Sequence, residues 1–336
     1  MNDGLKITLI ATVKNEEFSI RDFLDALLSQ TRLPNEIIVT DGGSVDRTTE
    51  IVNEYITNGA PIKLIIAKGN RSVGRNEAIR NASYDIIACT DAGCRADPDW
   101  LKNIIEPFEN DQSIDVVGGF YQPIANNIFG KCVGVLTICD IKRIDPNTFL
   151  PSARSVAFKK EAWRKVGGFP EQFSWNEDTS FMLNLRKVGL KFIFVPRAIV
   201  YRRVESNLKE IFWKYHFYAK GDAEACLSKK KYSLFYIRYL MGAILVSIGF
   251  IFWPLWCIAL LCLIAYLAKY AIKVFVKVRS AKGLVWGPLI KLAIDFAVLS
   301  GFGRGLFSSK NEYCKDLGKW KHKGGNNDKK KYKKEL

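Results

Sequence analysis

From Tyr239 to Ala268 the chain runs for 30 residues without one charged side chain. A helix rises about 1.5 Å per residue and a bilayer core is about 30 Å thick, so roughly 20 apolar residues cross it. The run is too long for an ordinary core helix. Pro254 falls inside it, flanked by Trp253 and Trp256, residue types that favour a membrane interface. The pattern predicts two helices, 233–252 and 254–276, forming a hairpin whose turn reaches the far face. Arg238, Lys269 and Lys273 would extend their stems back to the near face. A single tilted helix with a return crossing at 284–307 is the competing reading. It would leave Lys269, Lys273, Lys277, Arg279 and Lys282 outside, against the positive-inside rule, so the hairpin is favoured. The stretch 284–307 is apolar but carries Lys291 and Asp295 four residues apart, able to pair on one helix face. It reads as an interfacial or bundle-packed helix more than a simple span.

Net charge is +16, and its distribution is uneven. Residues 1–200 hold 24 Lys+Arg against 25 Asp+Glu, whereas residues 201–336 hold 26 against 9. The basic excess therefore flanks the apolar run, where each Lys near an anionic surface contributes about 1 kcal/mol. An anionic membrane surface accounts for it, and a nucleic-acid partner is not expected, since no aromatic-studded groove accompanies the charge. The tail 311–336 is polar and basic and is expected to be disordered. No secretory signal precedes the first apolar segment, so the N-terminal part and the tail are expected in the cytosol. The eight cysteines form no CxxC pair, which favours free thiols over disulfides or zinc.

The first hundred residues alternate short β-branched runs with amphipathic ones. Strands are expected at 7–13, 36–40, 62–67 and 85–90, and helices at 19–30, 47–55 and 75–81. Such alternation implies a parallel sheet with helices on both faces, whose ligands bind beyond the carboxyl ends of the strands. That rule selects 12–17, 41–46 and 91–97, all polar and acidic. Further on, strands are expected at 115–121, 191–196 and 198–201, and "EDTSFMLNLRKVG" reads as an amphipathic helix.

Five stretches then appear in order: "TLIATVKNEE", "VTDGGSVDRT", "GRNEAIRNASYDIIACTDAGCRADPDWL", "AFKKEAWRKVGGF" and "NEDTSFMLNLRKVGLKFIFVPRAIVYR". Together, over about residues 5–225, they resemble the family 2 glycosyltransferases. The resemblance implies an α/β GT-A (Rossmann-like) nucleotide-sugar domain over 1–225. Membrane-associated helices at 226–310 and the basic tail would follow. It implies transfer of a sugar from a nucleotide-diphosphate donor with inversion at the anomeric carbon.

It also implies roles for particular residues. Thr12, Asn15 and Glu16 would wrap base and ribose, although Glu16 equally suits the first turn of a helix. Asp41 would meet the base, or else close an Asx turn with Gly42 and Gly43. Arg71 and Arg75, beside a helix start, suit a nucleotide or its phosphates. Asp178 matches the general base that takes the acceptor's proton, with Glu177 in support. Both acids also suit a helix N-terminus.

"CTDAGC" departs from the family pattern. Where relatives carry Asp-x-Asp, the second carboxylate holding Mg²⁺ or Mn²⁺, this chain has Asp91 and then Gly93. Where many relatives have a metal-binding His after "AxVY", it has Arg202 and Arg203. A divalent cation is therefore doubtful, with Asp91 at most a weak ligand. Arg202 or Arg203, with Arg154, would meet the diphosphate instead. In the other reading Asp97 or Asp99 supplies the missing ligand and a metal still binds.

The segment "SNLKEIFWKYHFYAKGDAEA" is amphipathic and aromatic; Trp213, Tyr215, Phe217 and Tyr218 would line an acceptor path or anchor the chain at the bilayer. The Gln-x-x-Arg-Trp signature of processive relatives is absent, which with only one hairpin favours transfer of a single sugar, and the membrane anchor points to a polyprenyl phosphate or lipid-linked glycan as acceptor. The alternative is an inactive relative that binds nucleotide sugar or acts as a scaffold.

Overall fold

The computed structural model describes residues 4–308, and the tail expected at 311–336 lies outside the described residues. The chain opens with β1 (Ile7–Val13), α1 (Ile20–Leu28), β2 (Glu36–Asp41), α2 (Thr48–Thr57) and β3 (Ile62–Ile66). Next come α3 (Arg71–Asn81), β4 (Ile86–Cys89), β5 (Cys94–Ala96), α4 (Trp100–Asn110), β6 (Val116–Ile124) and α5 (Ile128–Thr137). The last strands are β7 (Val156–Lys159) and β8 (Phe192–Arg203), separated by α6 (Lys160–Val166) and α7 (Glu177–Lys187). Four helices follow: α8 (Leu208–Glu224), α9 (Lys229–Gly249), α10 (Pro254–Val278) and α11 (Lys282–Leu306). Two compact units result. One holds the chain up to Ile124 together with Ile138–Val204, and the other Ala125–Thr137 with the chain from Glu205 onward.

The first unit is built on one eight-stranded sheet, ordered β3-β2-β1-β4-β7-β6-β8-β5. β3, β2, β1 and β4 run parallel, as the strand–helix alternation implied. β7 is antiparallel to both its neighbours, β8 is parallel to β6, and β5 is antiparallel to β8. The sheet is thus mixed beyond its first four strands. Neighbouring residues point to opposite faces of a strand, so Leu9 and Val39 enter one core with Phe23 and Trp100. Ile10 and Ile38 enter the other, with Phe158, Phe169 and Phe181. Both faces are covered, which is why β1 reads as an almost unbroken apolar run.

β8 is one strand where the sequence suggested two. Its pairing with β6 stops at Phe194 and resumes at Ile199 after a register shift. Pro196 falls in that gap, where its missing N–H breaks no ladder bond. Nearby, Ser155 Oγ accepts from Trp100 Nε1 at 2.9 Å and donates to the Ala198 carbonyl at 3.0 Å.

In the second unit, α8 is capped by Asn207, whose side chain accepts the Glu210 N–H at 2.9 Å. Glu210 returns the bond to the Ser206 N–H at 3.0 Å. α9, α10 and α11 are each long and apolar enough to cross a membrane, and the unit is membrane-associated in character. α11 meets α8 through glycines: a β-carbon on Gly301 would overlap the His216 carbonyl, and one on Gly305 would lie 2.6 Å from the Lys220 carbonyl. The expected pair between Lys291 and Asp295 forms. Six of the described cysteines are free, three of them buried. Cys226 is disulfide-bonded, against the free-thiol expectation, and it has no CxxC spacing by which the sequence could mark it.

Where the sheet is tightest, a β-carbon on Gly119 would overlap Ser155 Oγ and the Ala198 carbonyl, whereas one on Gly93 would meet nothing within 4 Å. Gly119→Ala should therefore cost about 1–3 kcal/mol through overpacking. Gly93→Ala should stay within about 0.5 kcal/mol of the parent. Thermal unfolding of the two variants checks the contrast.

Candidate active site

A cleft of about 450 Å³ opens at the carboxyl ends of β1 and β2, with Thr12, Asn15, Glu16, Arg71, Gly74 and Trp175 among its walls. Two loops interlock to shape it. Asn15 sits at a left-handed φ of 55°, donates its N–H to Ser44 Oγ at 2.9 Å and accepts the Val45 N–H at 3.0 Å. The Glu16 N–H donates to Thr48 Oγ1 at 2.7 Å, and the Glu16 carbonyl accepts the first N–H groups of α1. Asp41 is buried and turned onto its own loop. It accepts the N–H groups of Gly43 and Ser44, both at 2.9 Å, and the Ser44 hydroxyl at 2.5 Å. Both of its oxygens are thereby engaged in the Asx turn that the sequence left open.

α3 enters this cleft against β1 and β2 so closely that a β-carbon at Gly74 would lie 2.8 Å from Thr12 and 2.9 Å from Thr40. The helix is polar, yet Ser72, Arg75 and Asn76 are buried. Its side chains hold the loop that leads to α7. Asn70 caps α3 by accepting the Val73 N–H at 3.1 Å and donates to the carbonyls of Glu171 and Phe173. Asn76 donates to the Phe169 carbonyl and accepts from the Phe169 N–H, both at 2.8 Å. Gly168, at φ 87°, passes so near that a β-carbon would fall 2.8 Å from Asn76 Oδ1.

Arg75 is the centre of the arrangement. One Nη donates to Glu177 Oε1 at 2.7 Å and the other to Asp91 Oδ1 at 2.8 Å, while the plane lies over the Phe169 ring. Asp91 Oδ2 lies 3.7 Å from Arg154 Nε. Arg154 Nη1 donates to Ser152 Oγ at 3.1 Å, and Ser152 donates to Asp178 Oδ2 at 3.0 Å. Asp178 also accepts the Ala153 N–H at 3.2 Å and its neighbour Thr179's N–H at 2.8 Å. The two acids that open α7 are thus joined through a continuous polar row running by way of β4. Burial disfavours the Asp91 carboxylate, but Arg75, and after it Arg154 and Arg71, prevail and hold its pKa at about 2.

The two adjacent arginines on β8 part company. Arg202 pairs across the sheet with Cys94, and its charge is felt there beside those of Asp91 and Arg154. Arg203 faces the other way and lies 3.7 Å from Asp22, both well exposed. The alternation of a strand puts Arg202, and not Arg203, on the side of Cys94. Arg75, expected on a phosphate, is instead buried with two carboxylates.

Of the side chains that could hold a divalent cation at this strand end, Asp91 is already engaged by arginines. Both Asp91 oxygens lie against guanidinium groups, and Gly93 contributes no ligand. Asp97 accepts the Tyr201 hydroxyl at 3.0 Å and Asp99 that of Thr31 at 2.7 Å. Burial pushes the Cys89 and Cys94 thiols up to about 12, which keeps them protonated. Among the described residues no three His, Cys, Asp or Glu side chains gather to hold a metal.

Residues 8–133 match the Glycosyl transferase family 2 profile, and residues 86–290, more than half the chain, match that of Glycosyl transferase family group 2. The chain belongs to the family 2 glycosyltransferases. It is 27% identical over 251 residues to the poly-beta-1,6-N-acetyl-D-glucosamine synthase of Staphylococcus epidermidis, a match covering 69% of this chain and 60% of the synthase. The O-antigen chain rhamnosyltransferase RfbN of Salmonella typhimurium is 26% identical over 235 residues, 66% of this chain and 73% of that one. The match thus spans about 60% of the length of the curated synthases. Among solved structures, the mannosyltransferase PcManGT from Pyrobaculum calidifontis, in complex with GDP-Man and Mn²⁺, superposes with a TM-score of 0.57. It is 17% identical, with 90% of this chain and 88% of that one covered. S. aureus TarS 1–349 superposes at 0.51, also 17% identical, with 92% of each chain covered. The fold of the first unit is GT-A.

Sequence reasoning missed Ser152 and Trp175. Trp175 lines the cleft beneath the Arg71 guanidinium, which lies 5.3 Å from its ring. Only its place two residues before Glu177 could have drawn attention to it. Ser152 carried no signal beyond its position ahead of Arg154. Removing the central cation should be costly, because it strands two acids in a buried setting. Arg75→Met is expected to lose about 3–5 kcal/mol, and Arg75→Met with Glu177→Gln to regain part of that. Urea denaturation followed by circular dichroism reads both.

Proposed function

We propose that the chain is an inverting glycosyltransferase that moves a single sugar from a nucleotide-diphosphate donor to a polyprenyl phosphate or lipid-linked glycan at the membrane surface. The observation that carries this reading is the polar row joining Glu177, Arg75, Asp91, Arg154, Ser152 and Asp178 beside the cleft. It supplies a fixed carboxylate and fixed cations, the two things inversion with a diphosphate leaving group requires.

In this reading Thr12, Asn15, Glu16 and Arg71 receive the nucleoside, with Asp41 shaping the turn behind it. The acceptor hydroxyl attacks the anomeric carbon on the face opposite the diphosphate. The new C–O bond forms as the old one breaks, the hydroxyl proton passes to Asp178, and the nucleoside diphosphate departs with the bonding electrons. Glu177 acts indirectly, by holding Arg75. Arg154 and Arg202, with Arg71, take the charge that grows on the diphosphate; guanidinium groups bind phosphate oxygens bidentately. Asp91 orders these cations and can touch the ribose.

A membrane acceptor is supported by the apolar helices and by relatives named as a poly-beta-1,6-N-acetyl-D-glucosamine synthase and an O-antigen chain rhamnosyltransferase. The basic residues around α9–α11 favour the cytosolic face for the first unit and the tail. Absence of the Gln-x-x-Arg-Trp signature from the sequence favours a single transfer.

A panel of nucleotide sugars screened for thermal stabilisation identifies the donor. With that donor, Asp178→Asn should lower transfer and donor hydrolysis by about 10²–10⁴-fold while donor-induced stabilisation persists. Equal hydrolysis by parent and variant would mean a nucleotide-sugar-binding protein without catalysis. Exhaustive EDTA treatment should leave turnover within a few-fold of the untreated enzyme. Complete, Mg²⁺-reversible loss would refute the arginine-based account of the diphosphate.

A further inference from the structure

Helix α11 does not run beside the other two apolar helices along their length. Its contacts first climb α10: Gly283 packs on Val274 and Phe275, Gly287 on Tyr270, and Asp295 accepts the Tyr266 hydroxyl. They then descend α9: Asp295 also accepts the Tyr239 hydroxyl at 2.7 Å, the Leu299 carbonyl accepts that of Tyr236 at 2.5 Å, and Phe302 stacks on Tyr232. A helix that meets the end of one leg, the middle of both and then the start of the other crosses the mouth of the hairpin. From there it continues onto α8, through Gly301 and Gly305.

Asp295 is 1% exposed and marks the crossing level. Lys291 pairs with it, and Arg238 Nη2 lies 3.9 Å away. The Arg238 side chain is nonetheless 47% exposed, and Lys269, one turn from Tyr266, is exposed as well. Exposed cations belong where water and headgroups are, so this level lies at the membrane interface. Below it the exposed charged residues Lys273, Lys277, Arg279 and Lys282 are all basic and stand among exposed apolar ones such as Ile272 and Val276. Above it no charge occurs. Leu240, Ile244, Ile248, Ile251, Trp253 and Leu260 are among the apolar side chains exposed there.

The apolar legs beyond the crossing are short. Tyr239 to Phe252 is 14 residues and Pro254 to Tyr266 is 13, which gives about 20 Å per leg. A bilayer core is about 30 Å thick. We infer that α9 and α10 form a re-entrant hairpin that enters the bilayer from the face along which α8 and α11 lie and stops short of the far face. α11 and α8 lie along the near surface, and their partner is the anionic headgroup layer. Three helices that are each long enough to cross therefore make no complete crossing, which revises the expectation of a turn at the far face. This inference rests on the membrane-bound reading above.

The test uses the full chain in right-side-out and inverted membrane vesicles, with a membrane-impermeant maleimide and peptide mass spectrometry as readout. Ile251→Cys is placed at the turn in a Cys257→Ser, Cys262→Ser background, and native Cys139, exposed in the first unit, reports the near face. Position 251 should stay unlabelled from either side and react only after detergent. Labelling from the face opposite Cys139 would show a complete crossing and overturn the inference, leaving the membrane reading intact. Labelling from the same face as Cys139 would mean that the hairpin is not inserted, and the membrane reading would fall with it. In the otherwise unaltered chain, the fluorescence lost in Trp253→Phe should be quenched several-fold better by lipids brominated deep in the acyl chain than by those brominated near the headgroup. The reverse order would overturn the inference by a route that does not depend on the cysteine variants folding.

Discussion

A guanidinium held between two carboxylates, Arg75 between Glu177 and Asp91, is the interaction on which the rest of the first unit turns. Taking three ions out of water costs several kcal/mol each, repaid only when every charge finds a partner with good geometry. Here the partners come from three separate elements: α3, the end of β4 and the first turn of α7. Moving any of them would strand a charge, so α3 helps to fix Asp178, one residue beyond Glu177. The asparagines on either side of Arg75 reinforce this by holding the loop before α7 through its carbonyl and N–H groups. A helix with so polar a sequence is buried because it works as a clamp.

This explains what the sequence made legible and what it did not. Strands with both faces covered leave an unbroken apolar run, and amphipathic helices leave a stripe, so the elements from β1 to β4 could be read to within a few residues. The acids at the strand ends stood out because a carboxylate where an apolar run stops has no packing reason to be there. Partners were another matter. Arg75 and Glu177 are 102 residues apart, and nothing in periodicity or spacing tells a cation meant for a phosphate from one meant for a carboxylate. The same holds for Asp41, whose short loop Gly42-Gly43 fits an Asx turn and an open site alike. On β8, by contrast, the alternation of a strand would have separated Arg202 from Arg203 had the strand been extended past residue 201.

The membrane unit repeats the lesson in a different solvent. Lys291 and Asp295 could be paired from their spacing, since four residues bring side chains together on any helix. The tyrosines that complete the coordination of Asp295 come from two other helices, and only the fold shows that they converge. Length and hydropathy alone make α11 a span. What decides its course is where its neighbours lie, and a helix whose glycines must meet the backbone of α8 at one end and α10 at the other has little freedom to stand upright between them.

Charge balance links the missing carboxylate to the arginines. Around the end of β4, the acids Glu16, Asp91, Glu177 and Asp178 are set against Arg71, Arg75, Arg154 and Arg202, four charges of each sign. A second acid at Gly93 would tip that balance to the negative side, and an incoming diphosphate would then meet repulsion that a bound cation would have to offset. The space for such a side chain exists, since a β-carbon at Gly93 would touch nothing within 4 Å. Sterics therefore do not explain the glycine; in the proposed arginine-based account, a second carboxylate there would oppose the diphosphate that the guanidinium groups are to receive.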